Sequence, residues 1–174
     1  GGAIFTENDE WAELIRSYCI HGKGIDKYDN VRIGMNSRLD TLQAAVLIEK
    51  IKFFDEEIKK CNQAAELYTK GLRGIVKVPV VKERIVSSWA QYTICFQNNE
   101  QREQAIKKLK ENDIPTAVYY RKPMHRQSAF IENKDVKLDY TVSEKMCERC
   151  LSLPMHSYLS VDEIEKIIKY IRFF

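Results

Sequence analysis

From about Ser37 to Leu72 apolar residues recur at helical spacing: Leu39, Leu42, Ala45, Val46, Ile48, Ile51, Phe54, Ile58, Ala65 and Leu67. No Pro or Gly interrupts the run before Gly71, and Gly71 and Gly74 are the natural stop signals. The pattern predicts one helix of about 50 Å at ~1.5 Å per residue. A helix of that length exceeds the width of a small domain, so it is expected to bridge two domains or two subunits. It divides the chain into residues 1–34, the helical stretch 35–72 and a C-terminal domain 73–174.

The flanks read as mixed α and β. Residues 2–6 predict a short strand, and Thr6 or Asn8 caps a helix carrying Trp11, Leu14, Ile15 and Tyr18. Residues 21–34 hold three glycines among Asp and Asn, a loop long enough to serve a function. Strands are expected over 75–81, 87–96 and 114–120, and a helix over 100–112 that starts at Asn98 or Asn99. A loop with short helical turns follows over 121–135. Two more helices are expected over 139–150 and 160–172, the latter opened by the Ser160-x-x-Glu163 capping box. The order implies an α/β domain of the α+β sandwich type, a short sheet with helices on one face.

Composition narrows the class. Of 174 residues, 44% are apolar and 30% charged, with net charge +3, as in ordinary globular domains. The charge is spread along alternating Lys and Glu rather than gathered on one basic face, which argues against a nucleic-acid partner. No apolar run approaches the ~20 residues that span a bilayer, and no signal peptide is visible, so neither a membrane nor a secreted location is expected. Five cysteines without framework spacing point the same way, to the cytoplasm. The chain opens Gly1-Gly2-Ala3-Ile4-Phe5-Thr6 without an initiator Met, which reads as the interior of a longer protein cut inside a sheet.

Generic chemistry is sparse. Cys147-Glu-Arg-Cys150 lacks the second ligand pair of a zinc site, and no metal is expected. On a helix the two thiols share one face and read as buried structural groups. His21, His125 and His156 have no nucleophile arranged around them, and Gly22-Lys23-Gly24 is not a P-loop.

Longer motifs carry more. Tyr28-Asp-Asn-Val-Arg-Ile-Gly-Met-Asn-Ser-Arg-Leu-Asp-Thr-Leu-Gln-Ala-Ala45 resembles the domain-junction segment of the DegT/DnrJ/EryC1/StrS family, roughly G-x-N-x-R-L-(D/S)-x-x-Q-A-A. Gly34, Asn36, Arg38, Leu39, Gln43, Ala44 and Ala45 fit it. In order along the chain, Gly1–Ile4 resembles the strand after the family's Gly-Asp-Gly-Gly turn, and Arg16 through His21-Gly22 its R-x-x-x-x-H-G loop. Ser88-Trp89-Ala90-Gln91-Tyr92 and Ile114–His125 resemble its small-domain strands, and Ser152–Leu159 its S-L-P-(M/L)-x-P-x-L end.

The resemblance implies a fold-type-I aminotransferase that uses pyridoxal 5'-phosphate (PLP) to move an amino group, from glutamate, to a keto-sugar on a nucleotide. Details around Ser87–Tyr92 and Thr116–Tyr120 look closest to members acting on UDP-linked acetamido sugars for surface polysaccharides, including lipopolysaccharide. It implies a homodimer with each site built from both subunits, residues 1–34 as a remnant of the large PLP-binding domain, and 73–174 as the C-terminal small domain. The Schiff-base lysine lies before the segment matching Gly1–Ile4, so the chain alone is expected to be inactive and to dimerise or aggregate without its N-terminal half.

Site residues are carried over by position. Asn36 matches the residue that reaches the PLP phosphate of the partner subunit; the plainer reading is a helix N-terminal cap. Arg38 binds the amino donor's carboxylate or part of the nucleotide sugar, or forms a surface ion pair. Tyr28 and Arg32 are candidates for the same cleft. Tyr119 and Tyr120 stand where the family often has His-Tyr, with Arg121 in place of a common Pro, and His125 is a substrate-binding candidate. Trp89, Gln91 and Tyr92 read as core. Two rivals stay open: a non-catalytic regulatory or interaction module of the same family, and a PLP-dependent sugar dehydratase in which His replaces the lysine.

Overall fold

The computed structural model describes residues 2–26, 28–130 and 139–174, and these form two units that divide between Phe53 and Phe54. The first unit holds α1 (Asp9–Cys19) and α2 (Thr41–Lys50). Asn8 caps α1, its side chain accepting from the Trp11 N–H at 3.0 Å. Residues 2–6 adopt no strand. Neither helix buries a residue, and Leu42, Val46, Leu47 and Ile48 of α2 are all exposed.

The single helix expected over 37–72 differs in detail. It begins at Thr41, because the Asp40 carboxylate accepts from the Leu42 and Gln43 N–H groups and so ends the extended chain before it. A 3-10 turn at Ile51–Phe53 separates α2 from α3 (Phe54–Leu72). Gly71 lies inside α3 rather than ending it. A Cβ there would sit 2.5 Å from Ile168 Cδ1, so the missing side chain lets another helix approach. Gly74, at φ +85°, follows the helix end.

The second unit adds β1 (Tyr92–Cys95), α4 (Asn99–Lys110), α5 (Thr141–Arg149), β2 (Cys150–Leu153) and α6 (Val161–Ile171). β1 and β2 pair antiparallel, with Tyr92 opposite Leu153 and Cys95 opposite Cys150. Single bridges extend the pair on both sides, Lys77 beside Cys95 and Ala117 beside Ser152, so two of the expected strands shrink to isolated bridges. The stretch 150–153, expected at the end of a helix and beyond, is a strand buried at every residue. Cys147 and Cys150 therefore do not share a helix face: Cys147 is half-buried on α5 and Cys150 is buried in β2. The loop after residue 120 carries 3-10 turns at Met124–Arg126 and Ser128–Phe130; its expected residues 131–135 lie outside the described ones.

The core lies between the short sheet and α3, α4 and α6. It joins Ala64, Ala65, Tyr68 and Leu72 to Ile94, Leu109, Leu151 and Leu153, and to Ile164, Ile167, Ile168 and Ile171. The α6 isoleucines recur at helical spacing behind the Ser160–Glu163 capping box, which is present as expected. The two buried core phenols are paired. Tyr68 donates its hydroxyl to the Pro154 carbonyl at 3.1 Å, Tyr92 shares a 2.8 Å bond with Thr69, and burial pushes both phenols up from their ordinary range. Tyr92 is core as expected and Trp89 packs at its edge, but Gln91 is exposed. No helix among the described residues is long and apolar enough to cross a membrane.

Leu151, fully buried, is the test of this packing. Leu151→Ala should lower unfolding free energy by about 2–5 kcal/mol in urea titrations, whereas Val80→Ala, at an 88% exposed position, should stay within about 0.5 kcal/mol.

Candidate functional site

In the first unit the loop between α1 and α2 folds back on the end of α1. The His21 N–H donates to the Met35 carbonyl at 3.0 Å, the Met35 N–H to Tyr18 at 2.9 Å, and the Ser37 N–H to Cys19 at 3.0 Å. Ile20 bridges Asn36. Two glycines make this approach possible. A Cβ on Gly34 would lie 2.2 Å from the Gly22 nitrogen, and one on Gly22 would lie 1.8 Å from the Arg32 carbonyl oxygen. Gly22 also holds φ at +78°, a left-handed conformation that side chains disfavour.

This frame sets Asn36 and Arg38 side by side. Arg38 Nε donates to Asn36 Oδ1 at 3.0 Å, and both residues are exposed. With Oδ1 taken, the Asn36 amide presents its N–H groups, and Arg38 keeps both Nη groups. Neither residue is a helix cap, since Asp40 fills that place. The α2 N-terminal amides are already turned to a carboxylate, so an anion here would be met by the Asn36 and Arg38 side chains. That donor set suits a phosphate or a carboxylate.

Arg32 is turned into the loop. Its Nη1 donates to Ser17 Oγ at 2.6 Å, Ser17 Oγ donates to the Lys23 carbonyl at 2.6 Å, and its guanidinium stands 6.0 Å from the Tyr18 ring centre. It also lines an open cavity of about 980 Å³ with Ser17, Lys23 and Asp29. Tyr28 is exposed on the same loop, its N–H donating to Asp26 Oδ1 at 2.7 Å. The structure thus pairs Asn36 with Arg38 and pairs Arg32 with Ser17. Ser17 and Tyr18 belong to a helix pattern that marked them only as helical, so their part in the loop was invisible in sequence.

In the second unit Tyr119, Tyr120 and His125 line one open cavity of about 880 Å³, together with Met124, Tyr140 and Cys147 among others. His125 is held from two sides. Its ring stacks on Tyr140 at 4.2 Å and 12°, and Nε2 lies 3.0 Å from Glu144 Oε1. Arg126 closes on the same oxygen at 2.7 Å. The hydrogen bond to His125, aided by Arg126, holds the Glu144 carboxyl below the ordinary glutamate range. Nε2 is thus engaged by Glu144, and the residue as a whole lines the cavity. Glu144 and Tyr140 escaped sequence reasoning because they lie 19 and 15 residues from His125 in chain order, at a separate helix start, with no local spacing to link them.

Compared with known proteins, residues 1–172 match the DegT/DnrJ/EryC1/StrS aminotransferase family, and the chain belongs to it. It is 40% identical over 168 residues to the UDP-2-acetamido-2-deoxy-3-oxo-D-glucuronate aminotransferase of Pseudomonas aeruginosa, across 96% of this chain and 45% of that protein. It is 35% identical to a pleiotropic regulatory protein of Geobacillus stearothermophilus, across 100% of this chain and 48% of that one. A crystal structure of a DegT DnrJ EryC1 StrS aminotransferase from Brucella abortus matches with TM-score 0.90 and 44% identity, across 98% of this chain and 45% of that one. The chain spans a little under half the length of these relatives.

Two outcomes test the geometry. Gly34→Ala should force the loop off α1, so the His21, Met35 and Ser37 amides should lose protection in hydrogen exchange while those of β1 and β2 keep theirs. The second concerns acid. Glu144 has a folded value below its unfolded one, so its clamp stabilises above the unfolded value and is lost as pH falls through the depressed one. A carboxyl-carbon NMR titration should place the Glu144 midpoint below that of an ordinary glutamate; a midpoint at or above it would contradict the clamp.

Proposed function

We propose that the chain is the C-terminal part of a PLP-dependent aminotransferase acting on a nucleotide-linked keto-sugar. The amino group comes from glutamate and goes to the keto carbon of a UDP-linked acetamido hexuronate, a building block for surface polysaccharide made in the cytoplasm. One observation carries this: 40% identity across 96% of the chain to a protein named for that substrate. Bound PLP supplies the electron sink that lets an amino group leave one carbon and join another.

The chain's own residues take binding roles in this reading. Asn36 donates its amide N–H to a phosphate oxygen of the cofactor held by the second subunit of a homodimer. Arg38, its Nε spent on Asn36, turns its two Nη groups as a fork to a carboxylate, which glutamate and a hexuronate both offer. Tyr119, Tyr120 and His125 line the cavity for the sugar nucleotide, whose volume is within the ~300–1,000 Å³ usual for small-molecule sites. Tyr28 borders the Asn36 cleft, and Arg32 stiffens the loop beneath it. The exposed apolar residues of α2 support a large domain and a partner subunit as its cover.

The pleiotropic regulatory relative supports a second reading, in which the protein binds without turning over. One experiment separates the two. The polypeptide extended to the length of the relatives is given PLP, glutamate and a UDP-linked 3-keto acetamido hexuronate. Mass spectrometry should show the amino sugar and 2-oxoglutarate together, and the 174-residue chain alone should make neither. Absence of both products from the extended protein favours the regulator. In the extended protein Asn36→Ala should weaken apparent PLP affinity about 10- to 100-fold, the worth of a hydrogen bond to a charged group. Asn36→Asp, which sets a charge against the phosphate, should weaken it further.

A further inference from the structure

Three of the five cysteines gather where α5 runs into β2. Cys95 ends β1, Cys150 begins β2, and Cys147 lies on the last turn of α5. Cys95 and Cys150 stand directly opposite each other in the antiparallel register. The backbone decides which type of pair this is. The Cys95 N–H donates to the Lys77 carbonyl at 2.9 Å and its carbonyl accepts from the Lys77 N–H at 2.9 Å, so both groups face away from β2. The next residue, Phe96, donates to the Arg149 carbonyl at 3.0 Å. Cys95 and Cys150 are therefore a non-hydrogen-bonded pair, the type in which Cα atoms come to about 4.5 Å and side chains lie closest. That separation falls inside the ~4.4–6.8 Å window of a disulfide, and opposed residues project from the same sheet face.

Both thiols are free. The Cys95 sulfur lies 3.9 Å from Met146 Sδ and the Cys150 sulfur 3.9 Å from the Tyr119 carbonyl, both residues of the cavity wall. Cys95 borders a second open cavity beside Lys77 and Arg149, so it can be reached from outside, while Cys150 is 3% exposed. Arg102 lies 4% exposed with Nε and Nη1 unpartnered, and its charge favours a Cys150 thiolate. Burial and Cys147 act the other way and push the Cys150 thiol up overall, and Cys95 is the more accessible of the two, so an outside disulfide meets Cys95 first. A metal does not account for the group: no three His, Cys, Asp or Glu among the described residues are placed to hold one.

We propose that Cys95 and Cys150 form a reversible cross-strand disulfide, closed by exchange with a small disulfide such as oxidised glutathione. The Cys95 thiolate attacks one sulfur of that disulfide, forming a mixed disulfide and releasing one reduced thiol. The Cys150 thiolate then attacks the Cys95 sulfur, forming the cross-strand bond and releasing the second. Two protein thiols are oxidised and one small disulfide is reduced to two thiols, with the two protons passing to the leaving thiolates. The bond ties the start of β2 to β1 one turn of chain from the cavity wall at Cys147.

Trypsin separates the three cysteines, into peptides 85–102, 146–149 and 150–166. The purified protein is incubated with oxidised glutathione, quenched with acid and N-ethylmaleimide, digested and analysed by mass spectrometry. The expected species is 85–102 joined to 150–166, absent after dithiothreitol, absent from Cys95→Ser, and retained by Cys147→Ser. Circular dichroism of the variants confirms that they remain folded. A link between 146–149 and 150–166 in place of the expected one, or glutathione retained on 85–102 with no cross-link, would overturn the proposal.

Discussion

The antiparallel pairing of Tyr92–Cys95 with Cys150–Leu153 holds the second unit together. It joins segments more than fifty residues apart, and β2 is buried at every position, so its backbone groups have only protein to bond with. Ser152 meets this demand on both sides: its side chain shares a 2.8 Å bond with Thr93, and its N–H and carbonyl bond to Ala117. With β2 saturated, α4 and α6 can bury Ala105, Leu109, Ile164 and Ile171 against it at little polar cost. The loops that carry Tyr119, Tyr120 and His125 leave this sheet through Ala117, so the cavity inherits its position from the strand pairing.

The first unit works differently. It has no buried apolar helix face; its order comes from backbone hydrogen bonds between the 20–37 loop and the end of α1. Those bonds need Gly22 and Gly34 as they are, because each meets backbone atoms that cannot yield. An exposed helix such as α2, apolar at Leu42, Val46, Leu47 and Ile48, is costly in water without a cover. In the reading proposed above, the rest of the protein and its second copy provide that cover, and the same junction then presents Asn36 and Arg38 to a neighbouring subunit.

What could be read in advance followed the kind of signal involved. Helices with a strong period and a side-chain cap, such as α4 behind Asn98 and α6 behind Ser160, were legible because period and cap are local. The break at Ile51–Phe53 was not, since apolar residues continue through it at helical spacing. Nor was β2: Cys150–Leu153 follows a helix without a turn residue, and only its partners across the sheet make it a strand. Among the candidate site residues, the family motif singled out Asn36 and Arg38, and the structure added their mutual bond and the Asp40 cap. The Glu144–His125–Tyr140 arrangement depends on tertiary placement, which no spacing encodes.

The segment 141–153 joins these threads. Its first turn supplies Glu144 to His125 and Arg126, its last turn sets Met146 and Cys147 in the cavity wall, and the chain then becomes the buried strand. Helix and strand meet at Cys150 with no loop between, so a displacement at the strand start has nowhere to be absorbed before it reaches the helix. The stacked His125 ring is therefore referenced to the sheet through one short rigid run. A covalent tie between Cys95 and Cys150 would act at the base of that run, close enough to shift the wall yet outside the cavity itself. That arrangement makes the C-x-x-C spacing intelligible: Cys147 and Cys150 are separated not to share a ligand but because one belongs to the wall and the other to the sheet.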